Sequence, residues 1–336
     1  MFDVENLHFI LINLNLFYPE ILKILIFIST TLYQIIACWL EDRTPPPGQR
    51  VDVGGYYLHY VTAGEGSPTI VVDHSLGGVE GYLLLEELAK ISRVCIYDRA
   101  GFGWSDISPY PRTSKQIVAE LEQMLTCAGL EPPYILVGNS FGSYNMRLYA
   151  HLFPEKVMGM VLTDGLHESG MLQMSFALKG LQLFFISGFL MSIFGSSFGL
   201  IRVMNKIGVF ELIKPELRNC SGSSLQLVKR SFCRPKHWLT MTQEIMGLAA
   251  SGRQLRCAND FKNLPIVSIK AQSFFKPSLL TAFLPLKAAN KLRERIHLEL
   301  LNLSNNCIQI NAEKSGHFVW IDQPEVIISA VKLLLK

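Results

Sequence analysis

Charged side chains are scarce in this chain, and those present do not cluster by sign. They make up 18% of the 336 residues, and 31 basic against 28 acidic residues leave a net charge of only +3. Because no long run of one sign occurs, the sequence lacks the basic surface through which nucleic acid is bound. We therefore exclude nucleic acid as a partner.

The seven cysteines lack the spacing of a metal site. None belongs to a CxxC pair or to a Cys/His cluster at metal-ligand spacing, so the sequence predicts neither a metal nor a disulfide framework. Cys220 and Cys233 are near enough in the chain that one disulfide between them, in an oxidising compartment, stays an alternative.

Apolar residues, in contrast, are abundant. They form 49% of the chain, and the mean hydropathy is +0.26, which indicates apolar surface that meets lipid or an apolar ligand. Residues 24–40 carry no charge and stand between Lys23 and Glu41. This run is at the lower limit of the ~17–25 residues that span a bilayer.

A cleavable signal peptide fits this region poorly. Asp3, Glu5 and Glu20 make the preceding residues acidic, and no small-x-small site follows. We therefore expect residues 1–43 to be an uncleaved membrane-associating segment, which makes the protein membrane-associated. A helix packed on the protein's own surface is the alternative.

Short β-branched runs alternate with helical stretches over much of the chain. Gly54 and Gly55 separate two apolar runs within 51–61 and indicate a hairpin. Because the later runs are continuously apolar, we expect strands covered on both faces, and hence an α/β fold with a mostly parallel central sheet flanked by helices. The predicted strands are 69–72, 94–97, 134–137, 157–162, 266–269 and 307–310.

The alternation disappears between Leu166 and about Asp260, where the sequence is apolar and helical in character. Residues 180–201 contain no charge and are long enough to span a membrane, but their glycines and serines favour cap helices over a pocket. The sequence thus divides into the hydrophobic segment 1–43, a first core part 44–166, a helical cap 167–260 and a second core part 261–336.

A candidate nucleophile lies in the sequence Gly138-Asn139-Ser140-Phe141-Gly142. The predicted strand 134–137 precedes it and a helical stretch, 143–152, follows it. This is the G-x-S-x-G pattern in its strand-turn-helix context, in which the serine is exposed on a strained turn and the glycines avoid collisions with neighbouring backbone. Ser140 is therefore our candidate nucleophile.

Two further motifs supply what a serine nucleophile needs. A serine hydroxyl requires an adjacent base, and His317 follows the last predicted strand in Ser-Gly-His-Phe and precedes a C-terminal helix. An acyl-transfer site also needs donors aimed at the developing oxyanion. The loop 73–78 follows a strand, so the backbone N–H groups of Leu76 and Phe141 are the natural pair.

These motifs, together with Asp-Arg-Ala-Gly-Phe-Gly-Trp-Ser at 98–105, resemble the α/β-hydrolase superfamily over roughly residues 51–336 apart from the cap. The resemblance is narrower to its cap-bearing branch of proline iminopeptidase-like, haloperoxidase-like and esterase-like enzymes. It implies the α/β-hydrolase fold, independence of any cofactor, and the roles of nucleophile for Ser140 and base for His317.

The sequence departs from the pattern at the acid. Most relatives carry it after the strand corresponding to 266–269, but no Asp or Glu occurs from Phe261 to Arg293. Some branches place it after the strand that follows the nucleophile helix, which here gives Asp164. Glu168 and the absence of any triad acid remain open as alternatives.

A second departure is Ser75, where relatives commonly have glycine. If that position needs a positive φ, serine adds strain there. His74 and His167 fall near the site, and we expect supporting or structural roles for both.

The predicted function is hydrolysis of an ester, less readily an amide, through an acyl-Ser140 intermediate. The apolar cap and N-terminal segment favour a small, hydrophobic acyl substrate. Acyl transfer on the same triad and a non-catalytic binding protein that retains the scaffold are the alternatives.

Overall fold

The computed structural model describes residues 4–213, 217–218, 220, 222–274 and 285–336, and the side chains from residue 19 onwards. Its strands are β1 (Gln49–Asp52), β2 (Tyr57–Ala63), β3 (Thr69–Asp73), β4 (Val94–Asp98), β5 (Tyr134–Asn139), β6 (Val157–Thr163), β7 (Ile266–Ala271) and β8 (Cys307–Ala312). All six strands predicted after the hairpin are confirmed, and the hairpin itself forms β1 and β2.

Helices flank this sheet and fill the region between β6 and β7. They are α1 (Val4–Arg43), α2 (Leu85–Ala89), α3 (Ser114–Cys127), α4 (Phe141–Leu152), α5 (Glu168–Met171), α6 (Phe176–Ser197), α7 (Leu200–Lys206), α8 (Val209–Ile213), α9 (Gly222–Phe232), α10 (Pro235–Gln254), α11 (Leu286–Leu301), α12 (Val319–Asp322) and α13 (Pro324–Leu334). We call α5–α10 the helical insertion.

In the part of the chain that the structure describes, the eight strands form one sheet in the order β1-β2-β4-β3-β5-β6-β7-β8. β1, β2 and β4 pair antiparallel, and every other neighbouring pair is parallel. Parallel strands end at the same edge, so the loops after β3, β5 and β6 meet there. This edge holds the site described below.

The continuous apolar runs of the central strands are explained by cover on both sheet faces. Leu136 of β5 belongs to a cluster with the apolar sides of α3 and α4. Its neighbours Ile135 and Val137 belong to a second cluster on the opposite face, with residues of α2 and α13. Successive side chains of a strand point to opposite faces of the sheet. Because helices cover both faces here, the side chains on both faces must be apolar.

The first helix, α1, is docked on the helical insertion rather than detached from it. Gln34 is buried and donates to the carbonyl oxygen of Cys233 at 2.8 Å, while it accepts from Nε of Arg202 at 2.7 Å. Glu41 pairs with Arg202 and Arg234. Cys233 is a free thiol, as is Cys220, so the disulfide that the sequence left open is not formed.

Among the described residues, two helices are long and apolar enough to cross a membrane, judged by length and composition alone: Pro19–Arg43 within α1, and α6. Near an N-terminus a signal sequence has the same properties. The first exposes most of its large apolar side chains, and α6 exposes about half of them.

Candidate active site

Ser140 lies in a strained turn between β5 and α4. Its backbone has φ 48° and ψ −109°, a conformation that costs free energy for a residue with a Cβ. A Cβ at Gly138 would lie 2.8 Å from the backbone of Gly142, and a Cβ at Gly142 would lie 2.6 Å from the carbonyl oxygen of His74. The two glycines therefore permit the close approach of this turn to its neighbours.

The structure brings the three predicted side chains into one hydrogen-bonded chain. His317 Nε2 lies 2.9 Å from Ser140 Oγ, and His317 Nδ1 lies 2.6 Å from Asp164 Oδ2. The imidazole is thus placed to accept the serine proton through Nε2 while Asp164 fixes Nδ1–H. Asp164 follows β6 directly, at the position that the sequence suggested.

Asp164 is buried, and its second oxygen is also occupied. Oδ1 accepts from Nε of Arg293 at 3.0 Å and lies 2.9 Å from Nε2 of His297. Burial acts to raise the pKa of this carboxyl, but the hydrogen bonds from His297 and His317 and the charge of Arg293 outweigh it and hold the pKa well below its usual range. Asp164 is therefore ionised throughout the neutral range.

Sequence reasoning missed Arg293 and His297. Both belong to α11, and their spacing of four residues puts them on one helical face. This spacing could have indicated a role for the two residues. If the helical face is buried, two hydrogen-bond donors on it need an acceptor on a neighbouring element.

Glu168 does not reach the base. It forms an ion pair with Arg147 at 3.1 Å and accepts a hydrogen bond from the Asn259 side chain. His167 caps α5 by accepting from the N–H of Ser169. Burial, followed by the positive charge of Arg147, lowers the pKa of His167 to about 4, which keeps this side chain neutral in a structural position.

Leu76, Ser75 and Phe141 line the same cavity as Ser140. Phe141 is the first residue of α4, where the backbone N–H groups have no partner within the helix. The non-glycine residues with positive φ in the described chain are Ser140, Asp164 and Lys262, so the conditional strain at Ser75 does not arise. His74 supports this loop, since its ring bonds the carbonyl of Tyr97 and the N–H of Gly81.

A buried arginine holds the loop 73–78 from below. Arg99 donates to Asp73 Oδ1 at 2.7 Å, to the carbonyl of Ser75 at 2.8 Å and to both oxygens of Glu244 at 2.8 Å. Burial opposes its charge, but Glu244 and Asp73 keep the pKa of Arg99 above its usual value. Because Glu244 lies in α10, this network ties the helical insertion to the loop beside Ser140.

The cavity in front of Ser140 has a volume of about 360 Å³. Its walls are largely apolar and come from the helical insertion and from α11; they include Leu178, Leu181, Phe185 and Phe189 of α6, Met241, Ile245 and Leu248 of α10, and Leu292 and Ile296 of α11. The polar residues of the lining are few: Ser75, Ser140, Asp164, Gln182, Arg293 and His317. Such a cavity suits an apolar group attached to one polar reacting centre.

Residues 68–189 match the family model of the alpha/beta hydrolase fold, a stretch that contains Ser140 and Asp164. Among curated proteins, the chain is 24% identical over 301 residues to a "Probable transporter efuK" of Hormonema carpetanum, covering 85% of this chain and 42% of that protein. It is 26% identical over 267 residues to an "AB hydrolase superfamily protein" of Gibberella zeae, covering 74% and 80% respectively.

A shorter match links the chain to an Arabidopsis thaliana "1-acylglycerol-3-phosphate O-acyltransferase", at 30% identity over 132 residues, 35% of this chain and 31% of that protein. A stretch covering 32% of this chain and 17% of its relative is 32% identical to an uncharacterized vacuolar membrane protein of Saccharomyces cerevisiae. The chain thus spans less than half the length of several of these relatives.

Solved structures share the fold at low identity. The epoxide hydrolase CorEH superposes with a TM-score of 0.61 at 17% identity, covering 85% of this chain and 97% of that one. An esterase from Thermogutta terrifontis gives a TM-score of 0.57 at 17% identity, covering 86% and 98%. With the family match, the sheet order and the strand-turn-helix around Ser140, these likenesses show that the chain has the α/β-hydrolase fold.

Proposed function

We propose that the protein is a serine hydrolase that cleaves an ester, and less readily an amide, of a hydrophobic acyl group. The observation that carries this proposal is the unbroken chain from Ser140 Oγ through both ring nitrogens of His317 to the buried, ionised Asp164. Each member is needed because a serine hydroxyl is a weak nucleophile without an oriented base.

In the first half of the reaction, Ser140 Oγ attacks the acyl carbonyl carbon while His317 Nε2 takes the hydroxyl proton. The tetrahedral oxyanion accepts hydrogen bonds from the N–H groups of Leu76 and Phe141. The imidazolium, stabilised by Asp164, then gives its proton to the leaving alkoxide. An alcohol departs and Ser140 carries the acyl group as an ester.

In the second half, His317 takes a proton from water, and the hydroxide attacks the acyl-Ser140 carbonyl. Collapse of the new tetrahedral species releases the carboxylic acid and returns the proton from His317 to Ser140 Oγ. No step requires a cofactor or metal.

The substrate class follows from the walls of the cavity. Apolar side chains of α6, α10 and α11 surround the space in front of Ser140. Binding of an acyl chain there is therefore favoured by about 25 cal/mol for each Å² of apolar surface that leaves water. We propose that the helical insertion, within residues 167–260, acts as the cap between core parts 44–166 and 261–336. Residues 1–43 act as the membrane anchor.

Acyl transfer is a second candidate, supported by the stretch similar to the O-acyltransferase of Arabidopsis thaliana. The first half-reaction is unchanged, and an acceptor alcohol replaces water in the second. A non-catalytic binding role is less well supported, because a scaffold without chemistry gains nothing from the strained backbone of Ser140.

The test is turnover of p-nitrophenyl esters of increasing acyl length by the full chain in detergent. We expect turnover that rises with chain length until the cavity is filled and that is absent from Ser140→Ala. Products separate the two candidates: free acid indicates hydrolysis, whereas an ester of an added acceptor alcohol indicates transfer. Equal turnover by the protein and Ser140→Ala would contradict both.

A further inference from the structure

Helix α6 is apolar on two opposite sides. One side, with Leu178, Phe185 and Phe189, lines the cavity in front of Ser140. The other carries Phe176, Leu183, Leu190, Met191 and Phe194, which are exposed; Phe176 is 93% exposed, Met191 71% and Phe194 62%. A helix that is apolar all round is normally buried all round, so the outer side of α6 requires a partner.

Helix α1 continues this exposed surface. Its ring at Phe27 contacts Phe198, just beyond α6, with centroids 4.4 Å apart. A side chain at Gly199 would collide with the carbonyl oxygen of Thr30, so the two helices meet closely at the end of α6. Along α1 itself the apolar side chains are exposed; they include Ile24, Leu25, Ile28, Leu32, Ile35 and Ile36.

The polar groups of α1 show that this contact is specific. Gln34 is the buried polar residue of the apolar stretch, and both ends of its amide bond the helical insertion, at Arg202 and at the Cys233 carbonyl. A polar side chain facing lipid is costly. Here the insertion satisfies it, and the hydroxyls of Thr30 and Thr31 bond the Phe27 carbonyl of the helix itself. Most of the exposed side chains of α1 over this stretch are therefore apolar.

The end of α1 has the residues typical of a membrane–water boundary. The Arg43 guanidinium lies 3.6 Å from the ring centroid of Trp39. Aromatic and basic side chains are enriched where a helix leaves the hydrocarbon. From Trp39 back to Thr30 and Phe27 is about 14 to 18 Å along the helix. If Trp39 lies at the boundary, the end of α6 lies inside the apolar layer.

We propose that the outer side of α6 is a second membrane-contacting surface, so that the helical insertion lies in the bilayer beside α1 and the cavity takes its acyl chain from a membrane lipid ester. The substrate half of this proposal rests on the proposed function; the docking half does not. The bilayer is favoured over a protein partner because residues 180–201 carry no charge and α6 is continuous with a helix exposed on its free sides.

Photo-crosslinking tests the docking half. Benzoylphenylalanine replaces Leu183 or Phe194 in the full chain, reconstituted in phosphatidylcholine vesicles, and Ile107, which is exposed on the core, serves as the matched control. We expect phospholipid adducts by mass spectrometry at 183 and 194 in clear excess over 107. Crosslinked dimers without lipid adducts would indicate a second copy instead, and yields equal to that at 107 would indicate water; either result overturns the proposal.

A charge-introducing variant tests the substrate half. Leu183→Glu/Met191→Glu/Phe194→Glu should lower turnover of a long-chain monoacylglycerol in vesicles about tenfold or more, because three apolar side chains no longer favour the bilayer. Turnover of a soluble butyrate ester should be unchanged, since none of the three lines the cavity. The control Ile107→Glu/Leu298→Glu/Ile308→Glu should retain both activities.

Equal loss on both esters would contradict the coupling of α6 to lipid substrates. Failure of the proposed function has a different signature. If the unaltered chain turns over neither ester, the chemistry assigned to Ser140 is wrong, while the crosslinks at 183 and 194 still decide whether α6 meets the bilayer.

Discussion

The strained backbone of Ser140 has an effect on stability that can be measured. A left-handed conformation costs a residue with a Cβ about 1–2 kcal/mol. Glycine adopts this conformation without that cost, but it loses more backbone entropy on folding than alanine does, which lowers the stability by about 0.5–1 kcal/mol. We therefore expect Ser140→Gly to be more stable than Ser140→Ala by roughly 0.5–1 kcal/mol. Urea unfolding in detergent checks this; since both variants lack the hydroxyl, equal stabilities would mean that the turn is unstrained.

The role of Asp164 is tested by removing its charge and keeping its shape. Asp164→Asn leaves His317 Nδ1 without an anionic acceptor, so the imidazole adopts the wrong tautomer and kcat should fall by about 10⁴. The matched control is Glu168→Gln, because Glu168 bonds Arg147 and Asn259 rather than His317, and its kcat should stay within about tenfold. Near-normal turnover by Asp164→Asn would reject the assignment.

Between elements, the ion pair of Arg99 with Glu244 joins α10 to the loop 73–78. Both side chains are fully buried, and Glu244→Ala leaves Arg99 with Asp73 as its remaining carboxylate. We expect the free energy of unfolding to fall by about 3 kcal/mol, and kcat to fall because Arg99 also holds the Ser75 carbonyl.

The control for this effect is Glu294→Ala. Glu294 lies on α11 and forms a surface pair with Lys270, and losing an exposed pair costs less than about 1 kcal/mol. Denaturant unfolding of the two variants compares them directly. Similar losses would mean that the buried network does not bind α10 to the core.

A second effect between elements depends on pH. His237 of α10 is buried between the rings of Phe102 and Phe232, and burial lowers its pKa to about 3. Below pH ~6.5 the unfolded chain binds a proton that the folded chain does not, so stability falls as pH falls.

From pH 7 to pH 5 the expected loss through His237 is on the order of 2 kcal/mol. Unfolding free energies at the two pH values check this, and His237→Gln should show a smaller loss than the unaltered chain. His167, with a pKa of about 4, contributes in the same direction and remains in the variant. An unchanged difference in His237→Gln would show that this residue is not the source.

The strands could be predicted from the sequence because a strand that is buried on both faces can be recognised from its own residues alone. Each strand buried on both faces is a continuous apolar run, as in β5 and β6. Some helix boundaries also have a local signal: α3 begins directly after Thr113, a residue type favoured at that position. The Thr113 side chain nevertheless makes no capping hydrogen bond, and its hydroxyl accepts from Gln254 of α10 instead. Contacts from distant elements are invisible to a local pattern.

For the whole molecule, the same distinction explains which parts of the candidate site were predictable. Ser140 and His317 carry local motifs, and Asp164 is fixed by its place after β6. Arg293 and His297 come from α11, more than a hundred residues later, and only folding brings them to Asp164. Their four-residue spacing places them on one helical face but does not identify Asp164 as the acceptor.

The division of the chain also has a consequence at this scale. The sequence predicts that residues 1–43 form a membrane-associating segment separate from the core. In the structure, however, Glu41 of this segment pairs with Arg202 and Arg234 of the helical insertion. Truncation before residue 44 would leave both guanidinium groups without that carboxylate in a largely buried position. Activity is therefore best measured on the full chain.

The central claim is that Ser140 is an activated nucleophile. The most direct test is mass spectrometry of the full chain in detergent after treatment with a fluorophosphonate, alongside Ser140→Ala and His317→Ala. We expect one adduct per chain, located on Ser140 and absent from both variants. A folded protein that forms no adduct, or one whose adduct survives in Ser140→Ala, would contradict it.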